Sequence, residues 1–286
     1  MEFIEILKVI FLGIVEGITE WLPISSTGHL LLIDVLFTLN ASEEFKEMFF
    51  VVIQLGAILA VLFLFFKNLF PFSFQKDENK KLQIKTDTNI LSLWGKILVA
   101  CVPAGVIGIL FDDFLEAHLH TPFVISLTLI AYGIAFLFIE NKNKEKPFRI
   151  QSVQEISYKD ALIIGVFQVL SLIPGTSRSG ATIIGALLIG VCRPAGAEFT
   201  FYLAIPVMIG ASAIKILKFI LSGTTLLAAE FAYLLIGCVV AFAVSMLVIK
   251  FLMNFVKKHD FKVFGWYRIA LGIVVLATMG LPLLFA

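Results

Sequence analysis

Glu16 and Glu20 stand four residues apart, a spacing that puts both carboxylates on one face of a helix; Pro23 and the hydroxyls of Ser25, Ser26 and Thr27 follow within two turns, and His29 comes next. Carboxylates that share a face repel one another. They are therefore candidate ligands for a hard divalent cation, Mg²⁺ or Ca²⁺, both of which take oxygen donors. Hydroxyls beside an imidazole supply candidate nucleophiles and an acid or base that works near neutral pH. The plainer alternatives are carboxylates solvated among lipid headgroups and a serine or threonine that only caps a helix.

A second polar run, Pro174-Gly175-Thr176-Ser177-Arg178-Ser179-Gly180-Ala181-Thr182, narrowly misses the phosphate-binding loop G-x-x-x-x-G-K-[ST]. Ala181 stands where the lysine is required, and no strand precedes it, so it is not a nucleotide site. Part of the physics still applies, because glycine-rich backbone entering a helix presents unpaired N–H groups and a positive dipole end to an anion. Arg178 adds a fixed cation with a fork of donors suited to phosphate oxygens. A structural pairing of Arg178 with Glu16 or Glu20 fits the same geometry. If the two runs meet, carboxylates, hydroxyls, an imidazole, an arginine and two helix N-termini share one pocket. Phosphoryl transfer needs mostly positioning and charge neutralisation, which this set supplies.

The elements that must position these groups belong in a bilayer. Of 286 residues, 59% are hydrophobic and only 15% charged, and mean hydropathy is +1.00, against about 25% charge in a soluble domain. A net charge of +1 leaves no basic face for nucleic acid. Cys101, Cys192 and Cys238 lie in or beside apolar runs and are expected to form neither a disulfide nor a metal site. The N-terminal apolar stretch runs into Glu16 with no small-residue cleavage site, unlike a removable signal peptide.

Six segments have the roughly 20 apolar residues that a crossing requires: 48–66, 90–111, 123–139, 199–217, 226–249 and 264–285. Regions 3–39 and 161–191 are apolar but broken by the two polar runs, and their pieces are too short to cross. They are expected to be re-entrant helix hairpins. Loops 67–89, 140–160 and 250–263 are rich in lysine and arginine while 112–122 and 219–225 hold none, which places the basic loops inside and both termini outside. Lys215 and Lys218 count against that pattern, though their stems can snorkel. His118 and His120, with Asp112, Asp113 and Glu116, are assigned to the solvated outer loop. His259 sits in a basic inner loop and is given no role.

The two broken regions can be aligned. Gly13 to Glu16 with Pro23 to Thr27 parallels Gly165 to Gln168 with Pro174 to Arg178, and Ala131 to Ile134 parallels Ala270 to Ile273. The fold class expected is an all-α polytopic membrane protein, six transmembrane helices plus two re-entrant hairpins, in one integral membrane domain over 1–286. Repeat 1 covers about 1–140 and repeat 2 about 155–286. An odd number of spans per unit makes the repeat inverted in topology.

At these residues the chain closely resembles the bacterial undecaprenyl-diphosphate phosphatase family. The likeness rests on Glu16-Gly-Ile-Thr-Glu20-Trp-Leu-Pro-Ile-Ser25-Ser26-Thr27-Gly-His29-Leu30 and on the run from Pro174 to Thr182. A third segment, Arg193 to Pro206, matches the family pattern except for Gly196 and Thr200. The resemblance implies a bacterial cytoplasmic-membrane enzyme that hydrolyses undecaprenyl diphosphate, depends on a divalent cation and confers bacitracin resistance. Carried over residue by residue, Glu16 and Glu20 would hold the metal or help place water, Ser26 and His29 are candidates for nucleophile and acid/base, and Arg178 with Ser177 and Thr27 would bind phosphates. Ser25, Thr176 and Ser179 complete the expected substrate-binding set, and Glu20 and Arg178 are counted with Ser26 and His29 as catalytic. Attack by Ser26, by His29 or by water stays open, with Ser26 assisted by His29 preferred. Expected partners are the polyprenyl diphosphate and the surrounding membrane lipids, with a homodimer left open. The main rival is a transporter or lipid flippase, since broken helices meeting at the midplane are a transporter signature.

Overall fold

The computed structural model describes residues 3–76, 82–144 and 146–280. Helices dominate it: α1 (Phe3–Thr19), α2 (Ser26–Leu36), α3 (Glu43–Val52), α4 (Gln54–Leu64), α5 (Phe66–Leu69), α6 (Thr88–Leu119), α7 (Pro122–Lys142), α8 (Tyr158–Val169), α9 (Arg178–Leu188), α10 (Arg193–Leu221), α11 (Ala228–Phe255) and α12 (Lys262–Val275). Six stretches of the described residues are long and apolar enough to cross a bilayer: Glu43–Leu64, Thr88–Phe111, Pro122–Lys142, Arg193–Leu221, Ala228–Phe255 and Lys262–Met279. Each overlaps one expected span. The last part of the sixth expected span, 281–285, lies outside the described residues.

Three details depart from the sequence expectation. The first span is two helices, α3 and α4, joined at Ile53. There the Gly56 N–H donates to the Ile53 carbonyl at 3.0 Å, a tightened three-residue turn. A Cβ at Gly56 would lie 2.1 Å from the Cys238 carbonyl oxygen, so glycine lets α4 press directly on α11. Second, the outer loop expected at 112–122 is helical as far as Leu119. His118 therefore belongs to α6, stacked on Phe114 at 4.4 Å with its Nδ1 3.0 Å from the Phe114 carbonyl; His120 follows as the cap. Charge alone does not end a helix, and no glycine or proline intervenes before Pro122. Third, the basic segment after α5 contains an antiparallel hairpin, β1 (Phe72–Lys76) with β2 (Leu82–Thr86), in which Phe72 faces Thr86 and Lys76 faces Leu82.

Packing partners are exchanged between the two halves of the chain. α1 lies along α11, α8 along α6, and α7 against α12, while α10 contacts α3, α4 and α6. Glycines set these approaches. A Cβ at Gly13 would meet the Gly237 carbonyl at 3.0 Å, and one at Gly165 the Ala100 carbonyl at 2.2 Å. The largest apolar cluster joins Trp21, Phe136, Ile164, Ile184, Phe201 and Phe261, so the core surrounds the two polar runs. A buried carboxylate ties its far side together: Glu140 of α7 accepts from Arg193 Nε at 2.9 and 3.1 Å and from the Phe261 N–H at 3.0 Å.

Candidate active site

Residues 20–25 turn the chain from α1 into α2, and residues 170–177 turn it from α8 into α9. The four helices hold 17, 11, 12 and 11 residues, or about 17–26 Å each at about 1.5 Å per residue, short of about 30 Å of hydrocarbon. Both turns end on a serine cap. The Ser25 hydroxyl accepts from the Gly28 N–H at 3.4 Å and the Ser177 hydroxyl from the Gly180 N–H at 3.2 Å. Ser177 Oγ also lies 3.1 Å from Ser179 Oγ.

The turns meet. Arg178 donates to Glu20 Oε1 from Nη2 at 3.0 Å and from Nε at 3.3 Å, and its Nη1 donates to the Thr200 carbonyl at 2.8 Å. The two side chains are 10% and 8% exposed, enough to exclude bulk solvent while leaving an approach. Beside them the Ser179 hydroxyl donates to the Glu20 carbonyl at 3.1 Å. Thr182 Oγ1 lies 2.9 Å from Thr200 Oγ1. Ser26 faces the Glu20 carboxylate. Trp21, fully buried, sets the first turn against α10 through an edge contact with Phe201 at 5.3 Å.

Glu16 is completely buried, and among the described residues neither of its carboxylate oxygens has a hydrogen-bond partner. The Glu20 N–H donates to the Glu16 carbonyl at 3.1 Å, so helical geometry continues to Glu20 and the two carboxylates share a face as expected. A buried carboxylate with no donor needs a proton or a cation. Gln168, which the sequence alignment places opposite Glu16, is likewise buried with its amide unpartnered among the described residues.

His29 sits apart from this ion pair. Its Nδ1 is 2.7 Å from the Ser25 carbonyl and its Nε2 is 2.6 Å from the Tyr267 hydroxyl, with the two rings stacked 5.6 Å apart. A carbonyl only accepts, so Nδ1 carries the proton and Nε2 accepts from Tyr267. Thr27 is half-buried and Thr176 buried beside Tyr132.

The structure thus gathers Glu16, Glu20, Ser26, Arg178 and Ser179, uses Ser25 and Ser177 as caps, and binds His29 to α12. Sequence reasoning missed Tyr267 and Arg268, and it set Thr200, a departure from the family pattern, outside the site, whereas its carbonyl accepts from Arg178 and its hydroxyl meets Thr182. Arg268 did leave a signal, as an ionisable residue inside an apolar span; Tyr267 left none.

The chain is similar to known proteins over nearly its whole length. The family model described as Bacitracin resistance protein BacA matches residues 9–274. A relative from Enterococcus faecalis named Undecaprenyl-diphosphatase is 67% identical over 276 residues, 96% of this chain and 98% of the relative. Relatives of the same name from Lachnoclostridium phytofermentans and Streptococcus thermophilus are 58% and 51% identical. These matches cover 96% and 99% of this chain, and 97% and 96% of the relatives. By a family match across nearly its whole length and by these identities, the chain belongs to the BacA family of bacitracin resistance proteins.

Proposed function

We propose that this chain hydrolyses undecaprenyl diphosphate to undecaprenyl phosphate and inorganic phosphate at the junction of its two polar turns. The observation that carries the reading is the Glu20–Arg178 ion pair, which joins residues 158 positions apart in a nearly solvent-free setting. It is a multi-pass membrane enzyme, a hydrolase, and its family and relatives favour hydrolysis over lipid flipping.

Arg178 binds the phosphate oxygens and neutralises charge as the anhydride breaks. The Ser26 hydroxyl attacks the terminal phosphorus; the P–O bond to the bridging oxygen breaks, and undecaprenyl phosphate leaves. The serine proton passes to Glu20, the carboxylate that Ser26 faces. Water then cleaves the phosphoserine, releasing inorganic phosphate and restoring the hydroxyl. His29 serves as the second proton-handling group, with Nε2 basic and held by Tyr267. Thr27, Thr176, Ser177 and Ser179 line the headgroup site.

A divalent cation, Mg²⁺ or Ca²⁺, fits this donor set: Glu16 presents two buried oxygens without partners among the described residues, and Glu20 lies on the same face. Glu16 and Glu20 would hold the ion, with water and substrate oxygens completing its coordination. When bound it supplies charge neutralisation at the diphosphate.

We further infer that α1–α2 and α8–α9 are re-entrant hairpins entering from opposite faces, in two inverted units with both termini outside. Supporting this, a Cβ at Gly133 would lie 2.7 Å from the Gly265 carbonyl oxygen, as one at Gly272 would lie 2.9 Å from the Ser126 carbonyl oxygen. The two contacts interchange when Gly133 is matched with Gly272 and Ser126 with Gly265, the register of the sequence repeat.

Phosphate release by purified protein from a polyprenyl diphosphate tests the activity. Metal-stimulated release that Arg178→Ala abolishes is expected. No release with any divalent cation would overturn the reading.

A further inference from the structure

Arg268, in the middle of α12, is fully buried, and its guanidinium reaches both turns. Nη1 donates to the Pro23 carbonyl at 3.2 Å, while Nη2 donates to the Gly175 and Thr176 carbonyls at 2.8 and 2.9 Å. Turn carbonyls removed from water need donors that a helix would otherwise supply. Here one rigid fork serves two segments about 150 residues apart in sequence, which a lysine ammonium on a flexible stem would not do. The Tyr132 ring of α7 lies 5.5 Å from the guanidinium carbon. Gly180 leaves it room, since a Cβ there would stand 3.2 Å from Nη1. No carboxylate bonds to it among the described residues; its two terminal nitrogens are held by backbone carbonyls, and Nε is buried with no partner among the described residues.

We propose that Arg268 is a positioning residue for the reaction: a latch that sets the distance between the turn carrying Glu20 and Ser26 and the turn carrying Arg178. It does not itself touch the substrate. The Thr128 hydroxyl, donating to the Pro174 carbonyl at 2.6 Å, ties the second turn alone, while Arg178 and Ser179 join the turns from α9 itself. Arg268 holds both from a third element, α12.

This rests on the two turns forming one active site, as proposed above, and the test separates the two claims. Arg268→Lys and Arg268→Gln are purified, checked for monodispersity and assayed for phosphate release beside Glu20→Gln and Arg178→Ala. Small misplacements of reacting groups cost about 10²-fold. Both Arg268 variants are therefore expected to lose about 10–100-fold in kcat with KM changed less than about threefold, the mark of lost alignment rather than lost binding. Retained charge in the lysine variant should give no rescue. Near-normal kcat in either variant overturns the latch. Near-normal rates in Glu20→Gln and Arg178→Ala overturn the site itself. Hydrogen exchange of the unaltered protein decides the matter if the variants do not fold. Residues 20–25 and 173–177 should exchange slowly and at one common rate, and exchange of either turn at open-loop rates overturns the proposal.

Discussion

Ser25 and Ser177 adopt the same rare backbone conformation: among the described residues they alone, glycine aside, have positive φ, 73° and 71°, and each caps the helix that follows. An L side chain in this region costs on the order of 1–3 kcal/mol. An N-cap hydroxyl returns about 0.5–2 kcal/mol over alanine.

Alanine at either position keeps the strain and removes the cap, whereas glycine removes both. Ser25→Ala and Ser177→Ala are expected to lower thermal stability in detergent clearly more than Ser25→Gly and Ser177→Gly. Equal losses for the paired variants would show that backbone strain plays no part at these turns.

The Glu20–Arg178 pair should display strong coupling. Removing one member of a buried ion pair leaves an uncompensated charge at about 3–5 kcal/mol, so Glu20→Gln and Arg178→Gln each destabilise, while the double variant recovers part of the loss. Activity should not recover, with kcat down at least about 10²-fold in all three. A double-mutant cycle in unfolding and phosphate release checks both halves, and additive stability losses would refute the coupling.

Glu16 should govern the response to metal. Chelation is expected to stop phosphate release, and Glu16→Gln to raise the cation concentration for half-maximal rate by at least about tenfold, comparing with the 10–100-fold cost of losing even an outer-shell partner. Cation-induced thermal stabilisation should fall in parallel. An unchanged titration removes Glu16 from the ligand set.

Tyr267 acts through His29 in this geometry. One neutral hydrogen bond contributes about 1 kcal/mol, so Tyr267→Phe should slow turnover by about fivefold. His29→Ala should slow it further, and the double variant should be no slower than His29→Ala alone. Independent, multiplicative losses would show that Tyr267 has a separate task.

The spans were legible because hydropathy and length decide what crosses a bilayer, and the two turns because polar residues interrupt apolar runs. What was not legible came from contacts distant in sequence. Arg268 stood out as a charge inside an apolar span, but its role did not, since its partners are carbonyls 245, 93 and 92 positions away and carbonyls carry no side-chain signature. His29 appeared free to serve Ser26 because nothing near it in sequence announces Tyr267. The β1–β2 hairpin had left a trace, the alternation of Phe72 and Phe74 with Ser73 and Gln75, hidden under the charge count of its loop. The helical end of α6 was missed because acidic residues were equated with a loop.

Glu140 carries a consequence for how the chain is made. Its partners are Arg193 and the Phe261 amide, the latter 121 residues downstream. At about 5–20 residues per second, the carboxylate waits roughly 6–24 s in the nascent membrane protein before Phe261 is synthesised. Over the same interval Gly13 lacks Gly237, and the first turn lacks Arg268. The first half thus enters the bilayer as an open mould that only the second half can fill, and insertion runs well ahead of the moment at which either turn is set.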